Sequence, residues 1–243
     1  MKTHTSNSGP ERLKLALGYW DPLLLESVNM LKVIAWGLCL FSAVALAQGV
    51  TSPTPVTPPD MSTPDGMIKA VVSEVMAAVK ADPEIQKGNI PRIVELVEKK
   101  IVPNADMRRT TEMAMGVNWK KATPEQQTQL IQEFKTLLMR TYSGAISQLR
   151  DQTIQFKPLR AAADDKEVTV KTVVLGRGDP VPLDYRLEKT ANGWKVYDMN
   201  IMGVWLIEAY RNQFTNQISQ NGIDGLVKFL QERNKALAAG KPS

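Results

Sequence analysis

Two periods of apolar residues divide the chain. Ile68, Val71, Val72, Val75, Met76 and Val79 recur at steps of three and four, which predicts an amphipathic helix stopped at Asp82-Pro83. Ile90, Ile93, Leu96, Val97 and Ile101 repeat the spacing, giving a second helix over residues 90–102 that Pro103 closes. Asp106 is placed to cap a short helix over residues 107–115, with Gly116 available for a left-handed exit. The clearest start signal is Thr123-Pro124-Glu125-Gln126: a capping Thr, a Pro at the first helical position and a Gln three residues after the cap. The helix it opens carries Leu130, Phe134, Leu137, Leu138, Tyr142, Ile146 and Leu149 on one side.

At Thr153 the period becomes two. Ile154 and Phe156 open a strand that Pro158 ends, and over residues 167–175 Val168, Val170 and Val174 share a face. In residues 181–189 Val181, Leu183, Tyr185 and Leu187 alternate with Pro182, Asp184, Arg186 and Glu188. Asn192-Gly193 then marks a tight turn into a strand over residues 194–202. Short links between successive strands predict a four-stranded antiparallel meander with one wet and one buried face. Two helices follow, one with Ile207, Tyr210, Phe214 and Ile218, the other, after Asn221-Gly222, with Leu226, Leu230 and Leu237. The expected fold class is α+β, a curved four-stranded antiparallel sheet packed against a helical layer.

Ahead of this domain the pattern changes again. The run VIAWGLCLFSAVALA, residues 33–47, has no charge, follows Lys32 and ends in the small-x-small sequence Ala45-Leu46-Ala47. It reads as a signal peptide cleaved after Ala47, and at fifteen residues it is short for a permanent membrane anchor, the alternative. Residues 1–29 fit no targeting signal, so 1–47 is expected to be an N-terminal extension plus signal, with the true start at Met30. Residues 48–64 contain Pro53, Pro55, Pro58, Pro59 and Pro64 among Thr and Ser and read as an extended leader. Residues 65–243 then form a single domain.

Composition narrows the chemistry. The 243 residues are 43% hydrophobic and 23% charged, with a formal net charge of +5. The one Cys (Cys39) and the one His (His4) both precede residue 48. A processed chain would therefore have no thiol or imidazole for nucleophilic catalysis, for a zinc site with N or S ligands, or for a disulfide. No basic run with interleaved aromatics suggests nucleic acid. Gly176-Arg177-Gly178-Asp179-Pro180 joins two predicted strands and reads as a hairpin connection rather than a phosphate loop. Asp164, Asp165 and Glu167 lack calcium-loop spacing. Asp198 has the same parity as Trp194 and Val196, so it is expected on their face, as an acid–base group or paired with an Arg such as Arg211. Asp106 is either catalytic or a helix cap. Met61, Met67, Met76, Met107, Met113, Met115, Met139, Met199 and Met202 supply adaptable apolar surface of a kind that suits a greasy ligand.

One set of landmarks carries more information than any single motif. These are Ile101-Val102-Pro103 with Asp106, Gly116 to Trp119 before Ala122-Thr123-Pro124-Glu125-Gln126, and Leu137-Leu138-Met139-Arg140-Thr141-Tyr142. They continue with Trp194-Lys195-Val196-Tyr197-Asp198 and Gly203, then Tyr210-Arg211-Asn212-Gln213-Phe214 and Gly222-Ile223-Asp224-Gly225-Leu226. In this order and spacing, over roughly residues 65–237, the chain resembles the MlaC family of periplasmic toluene-tolerance proteins. Met107 and Trp205 depart from the pattern, standing where an aromatic and a small polar residue are usual.

The resemblance implies an NTF2-like cone enclosing an apolar cavity. It also implies a periplasmic carrier that shuttles phospholipid between an outer-membrane lipoprotein–porin complex and an inner-membrane MCE-domain ABC transporter, maintaining outer-membrane lipid asymmetry. No metal, cofactor or catalytic residue is expected, only a phospholipid as cargo. The candidate cavity residues are Val168, Val170, Leu183, Tyr185, Leu187, Trp194 and Val196 on the sheet, with Val75, Leu138, Tyr142 and Ile146 on helices. Two other readings stay open. One is an enzyme of the same fold using Asp198 or Asp106 with Tyr185 on a hydrophobic small molecule; the other is an adaptor that binds only protein.

Overall fold

The structure, a computed structural model, describes residues 59–240 apart from residues 163 and 177. The expected extension, the signal peptide and most of the Pro-rich leader lie outside the described residues.

Caps set the helices. The Thr63 hydroxyl accepts the Gly66 N–H at 3.2 Å to open α1 (Pro64–Ala81). Gly66 itself is obligatory, because a Cβ there would lie 2.0 Å from the Asp60 carbonyl oxygen. Asp82 ends α1 and at once caps α2 (Pro83–Gln86), accepting from the N–H groups of Glu84 and Ile85. This one-turn helix has no periodic signal; it exists because Asp82-Pro83 stops one helix and starts another. Next come α3 (Ile90–Lys100), a 3-10 turn at Val102–Asn104, and α4 (Met107–Met115). α5 (Pro124–Ser147) opens with the expected capping box: Gln126 N–H donates to the Thr123 hydroxyl at 3.2 Å and Thr123 N–H to Gln126 Oε1 at 2.9 Å.

The sheet has five antiparallel strands in the order of the chain, β1 (Thr153–Phe156), β2 (Glu167–Leu175), β3 (Val181–Thr190), β4 (Gly193–Ile201) and β5 (Val204–Trp205). The four-strand expectation is corrected by β5. A turn at Met202-Gly203, where both φ angles are positive, folds two further residues back on the end of β4. The last helix, α6 (Leu206–Ala238), is broken at Gly222, whose φ of 68° and ψ of −173° leave the helical region. Its two halves correspond to the two closing helices read from the sequence.

β4 does not keep one parity. Leu187 pairs with Val196 and Arg186 with Asp198, which leaves Tyr197 as the extra residue of a β-bulge. Ahead of the bulge Trp194 and Val196 join Val168, Val170, Tyr185 and Leu187 on the inner face; past it Met199 does. Asp198 is therefore turned to the other face, and the expectation that it shares a face with Trp194 and Val196 is corrected. There it accepts from Arg186 Nη1 (3.2 Å), from its neighbour Met199 N–H (2.9 Å) and from Ile207 N–H (3.1 Å). Arg211 instead donates to the Met113 carbonyl at 3.0 Å. The Asp198 side chain is wholly buried and caps the first turn of α6, for which Trp205 offers no side-chain acceptor.

The buried apolar residues fall into three groups. One joins α4, α5 and α6 around Phe134, Tyr210 and Phe214, whose rings meet edge-on or tilted at centroid distances of 4.8, 5.0 and 5.9 Å. A second joins the inner sheet face to Met67 and Ile68 of α1. The third joins α1, α2, α3 and α5 through Val75, Val79, Ile85, Ile93 and Met139.

Because the buried Asp198 carboxylate holds the partly exposed Arg186 guanidinium and a helix N–H together, Asp198→Ala should cost roughly 2–4 kcal/mol in urea unfolding. Asp198→Asn keeps an acceptor for Ile207 and should cost clearly less. Equal losses in the two variants would show that the cap contributes nothing.

Candidate functional site

The inner face of the sheet follows from alternation. On β2 Val168 and Val170, on β3 Leu183, Tyr185 and Leu187, and on β4 Trp194 and Val196 all point one way. The structure brings these seven candidates into one group with Met67, Ile68, Val71 and Val72 of α1 and with Phe156, Leu159 and Met199. Val170 and Leu187 are fully buried, whereas Leu183, Val196 and Met199 are half-buried although they face inward. Trp194 is fixed by its indole N–H, which donates to the Ser62 carbonyl at 3.1 Å and pins the chain ahead of α1 to the sheet.

The four helical candidates do not join that group. Val75 is buried among Val79, Ile93 and Leu96, and Ile146 packs at the edge of the same cluster. Leu138 packs, half-buried, on the α4–α5–α6 core, and the Tyr142 phenol lies beside that of Tyr210 in the same region. Among the described residues, the sheet group and the α4–α5–α6 group have no member in common, while Val71 of α1 packs on both the sheet group and the α1–α3 group. A fully collapsed domain of this size ordinarily shows one contiguous core. Here the sheet group and the α4–α5–α6 group are separate, and α5 reaches the sheet side through Met139 of the third group, on which Val71 also packs.

Ile68 and Val72, which the sequence pattern places only on an apolar helix face, and Met67, which it counts only among the adaptable methionines, supply the α1 side of the sheet group. The spacing of Ile68 and Val72 identified the face; nothing in it distinguished the part that meets the sheet from the part that meets α3. Met199 was hidden by the bulge.

The interior holds few polar groups. Burial pushes the Tyr185 phenol up to about 12, and the Tyr210 phenol up to about 12 as well. Burial also raises Tyr142, with the neighbouring Tyr210 phenol adding to the effect. Thr172, wholly buried, turns its hydroxyl onto the Leu183 carbonyl.

The outer face carries the charge. Arg109 bridges Glu188 and Glu167, which lie directly opposite each other across β2 and β3, and stacks 3.9 Å over the Tyr197 ring. The Arg109 guanidinium lowers the Glu167 carboxyl, while burial, with Glu167 beside it, raises Tyr197. Arg186 stacks 3.6 Å over Trp205 and faces Asp198, whose carboxyl is raised by burial against the opposing pull of its hydrogen bonds. Asp106 accepts the Arg109 N–H at 2.8 Å as the cap of α4. Asp198 and Tyr185 thus lie on opposite faces of the sheet and do not form the acid–base pair of the enzyme reading. Among the described residues no group of His, Cys, Asp and Glu is arranged to hold a metal ion, and no helix is long and apolar enough to cross a membrane. A hollow of about 320 Å³ lies between Gln86, Gly178 and the residues Ser147, Gln148, Arg150, Asp151 and Gln152 at and just after the end of α5; none of the eleven candidates lines it.

The model of the family described as MlaC protein matches residues 69–232, two-thirds of the chain and nearly all of the described domain. The chain belongs to the MlaC family. Among curated MlaC relatives, toluene tolerance protein Ttg2D of Pseudomonas putida is 29% identical over 164 residues, covering 67% of this chain and 76% of that protein. The intermembrane phospholipid transport system binding protein MlaC of Haemophilus influenzae is 19% identical over 175 residues, covering 70% and 82%. A solved structure, the phospholipid-binding protein from Ralstonia solanacearum in complex with a phospholipid, is 54% identical with a TM-score of 0.68, covering 70% of this chain and 96% of that one. Its match over nearly its full length carries the α+β assignment: an open antiparallel sheet with helices.

The four described tyrosines give a direct check on the interior. In native protein Tyr142, Tyr185, Tyr197 and Tyr210 should stay protonated past pH 10, read from absorbance near 295 nm, and titrate near 10 once unfolded. Raised phenol values mean that the stability they contribute is complete below pH 10. It is lost as pH climbs toward about 12. Native titration near 10 would mean that these hydroxyls are solvated.

Proposed function

We propose that this protein is a phospholipid carrier that holds the acyl tails of its cargo between the inner sheet face and the α5 side of the helical layer. The observation that carries the reading is the phospholipid bound to a 54% identical protein of the same architecture. Two features of this chain support it. Its inward apolar residues are divided into separate groups, and Leu183, Val196, Met199 and Leu138 are only half-buried. The eleven candidates, Val75, Leu138, Tyr142, Ile146, Val168, Val170, Leu183, Tyr185, Leu187, Trp194 and Val196, are proposed as walls and supports of this space.

Affinity in such a site needs no reactive group. Each buried CH₂ contributes about 0.8 kcal/mol, so a sixteen-carbon tail gains on the order of 12 kcal/mol before ordering costs. The absence of a catalytic role follows from that reading rather than from any missing residue. In cellular terms the carrier works in the periplasm after removal of a signal peptide. There it shuttles phospholipid between an outer-membrane lipoprotein–porin complex and an inner-membrane MCE-domain ABC transporter, and so maintains lipid asymmetry. The domain at residues 65–243, preceded by the Pro-rich leader at residues 48–64, is the moving part.

The test is extraction and native mass spectrometry of the purified protein. Phospholipid should copurify, and Leu138→Trp or Val196→Trp, each at a half-buried inward position, should lower its occupancy several-fold with little change in thermal midpoint. Undiminished occupancy in both variants would move the cargo away from this wall. A chain that never carries lipid would refute the carrier reading.

A further inference from the structure

The hairpin joining β4 to β5 has no part in the interior just described, yet it is built against local preference. Met202 is the one non-glycine with positive φ (53°) among the described residues, and Gly203 follows at 92°. Two successive positive φ values are the pattern of a tight hairpin turn that favours Asn-Gly; Met has no side-chain bond to offset the left-handed backbone. The turn is nevertheless held firmly. Gly203 N–H donates to Asn200 Oδ1 at 2.9 Å, and Met202 N–H donates to the Pro182 carbonyl at 3.1 Å. The result is a Met side chain 63% exposed at the tip of a sheet. A strained residue kept in place by its surroundings, presenting apolar surface to water, is a recurrent mark of a functional contact.

The neighbours define the kind of contact. Ile201-Met202-Gly203-Val204-Trp205-Leu206 is a run without a polar side chain, and Val204, Trp205 and Leu206 are half-buried. Behind the tip Trp205 lies flat against the Arg186 guanidinium, 3.6 Å away, and Arg186 is anchored on Asp198. A protruding Met backed by a Trp and an Arg matches the depth profile of a lipid–water interface. The apolar tip reaches the acyl boundary, and the indole and the cation sit at head-group level. One two-residue turn is far smaller than the roughly 800 Å² per partner that a stable protein interface buries, whereas interfacial anchoring needs only a few side chains. Net charge favours the same surface, since residues 48–243, the part proposed to remain after processing, carry a formal +4 and are drawn toward anionic lipid. Asp184, opposite Asn200 on the outer face, and Glu208 in the first turn of α6 are the carboxylates of this neighbourhood, and they limit the electrostatic share.

We propose that the Met202 hairpin is a shallow membrane-docking tip that touches an anionic phospholipid surface. It is separate from the inward residues proposed to hold cargo, and vesicle binding is read independently of lipid occupancy.

The experiment is flotation of the purified protein with vesicles of phosphatidylethanolamine and phosphatidylglycerol, beside thermal unfolding of the same samples. Wild type should float. Met202→Asn should float about tenfold less while its thermal midpoint rises, because Asn-Gly fits the turn and Met does not. Trp205→Ser should also reduce flotation, with cargo occupancy by native mass spectrometry unchanged in both variants. Wild-type protein that fails to float, or Met202→Asn protein that floats as well as wild type, overturns the proposal; the first result would direct the tip to an apolar pocket on a protein.

Discussion

The buried Asp198 carboxylate is the point through which the two layers of this protein are joined. It sits on β4, meets a cation from β3 and closes the first turn of α6, the helix that brings Tyr210 and Phe214 to the helical core. A charge wholly out of water is tolerated only when its lone pairs are taken up, and here two backbone N–H groups and a guanidinium do so. Its carboxyl is still raised, so desolvation outweighs the partners. The interaction fixes where α6 leaves the sheet rather than adding much net stability.

That junction depends on a single inserted residue. Without the bulge at Tyr197, Asp198 would point among Val168, Leu187 and Trp194, an apolar surface with no donor for it. With the bulge, the first half of β4 contributes Trp194 and Val196 inward and the second half contributes Met199, while Asp198 and Asn200 are free to build the outer junction and the turn after it. The sheet therefore separates its duties by face. Ion pairs and cation–aromatic stacks hold the outside, and the inside keeps almost purely apolar side chains.

Most of the secondary structure was legible because its signals are local. Thr123-Pro124-Glu125-Gln126 announces α5 through cap chemistry, Asn192-Gly193 announces the β3–β4 turn, and alternation in residues 181–189 gives β3 and its faces. What escaped depends on pairing between strands. The bulge at Tyr197 has no one-residue signature, so strict alternation carried Asp198 to the wrong face and Met199 with it. β5 is two residues long, below any period, and its turn lacks the usual Asn. The candidate site was legible on the sheet, where alternation decides direction. It was less so on the helices: Val75 and Ile68 lie on one stripe, and only packing sends the first toward α3 and the second toward the sheet.

On the carrier reading, the same division of faces sets what can be recognised. Hydrocarbon is held by area alone, and tails of similar length are then nearly equivalent to the walls. The polar groups on the inner side are few, and the Thr172 hydroxyl is spent on the Leu183 carbonyl. An interior of this kind has little with which to distinguish one head group from another. On this reading any such discrimination has to arise outside the apolar depth of the site. Tail-driven affinity also falls steeply once part of a chain is withdrawn, at about 0.8 kcal/mol per CH₂. A carrier built on it can hold cargo firmly and still give it up to an acceptor that draws the tails out stepwise, with no chemistry at either end.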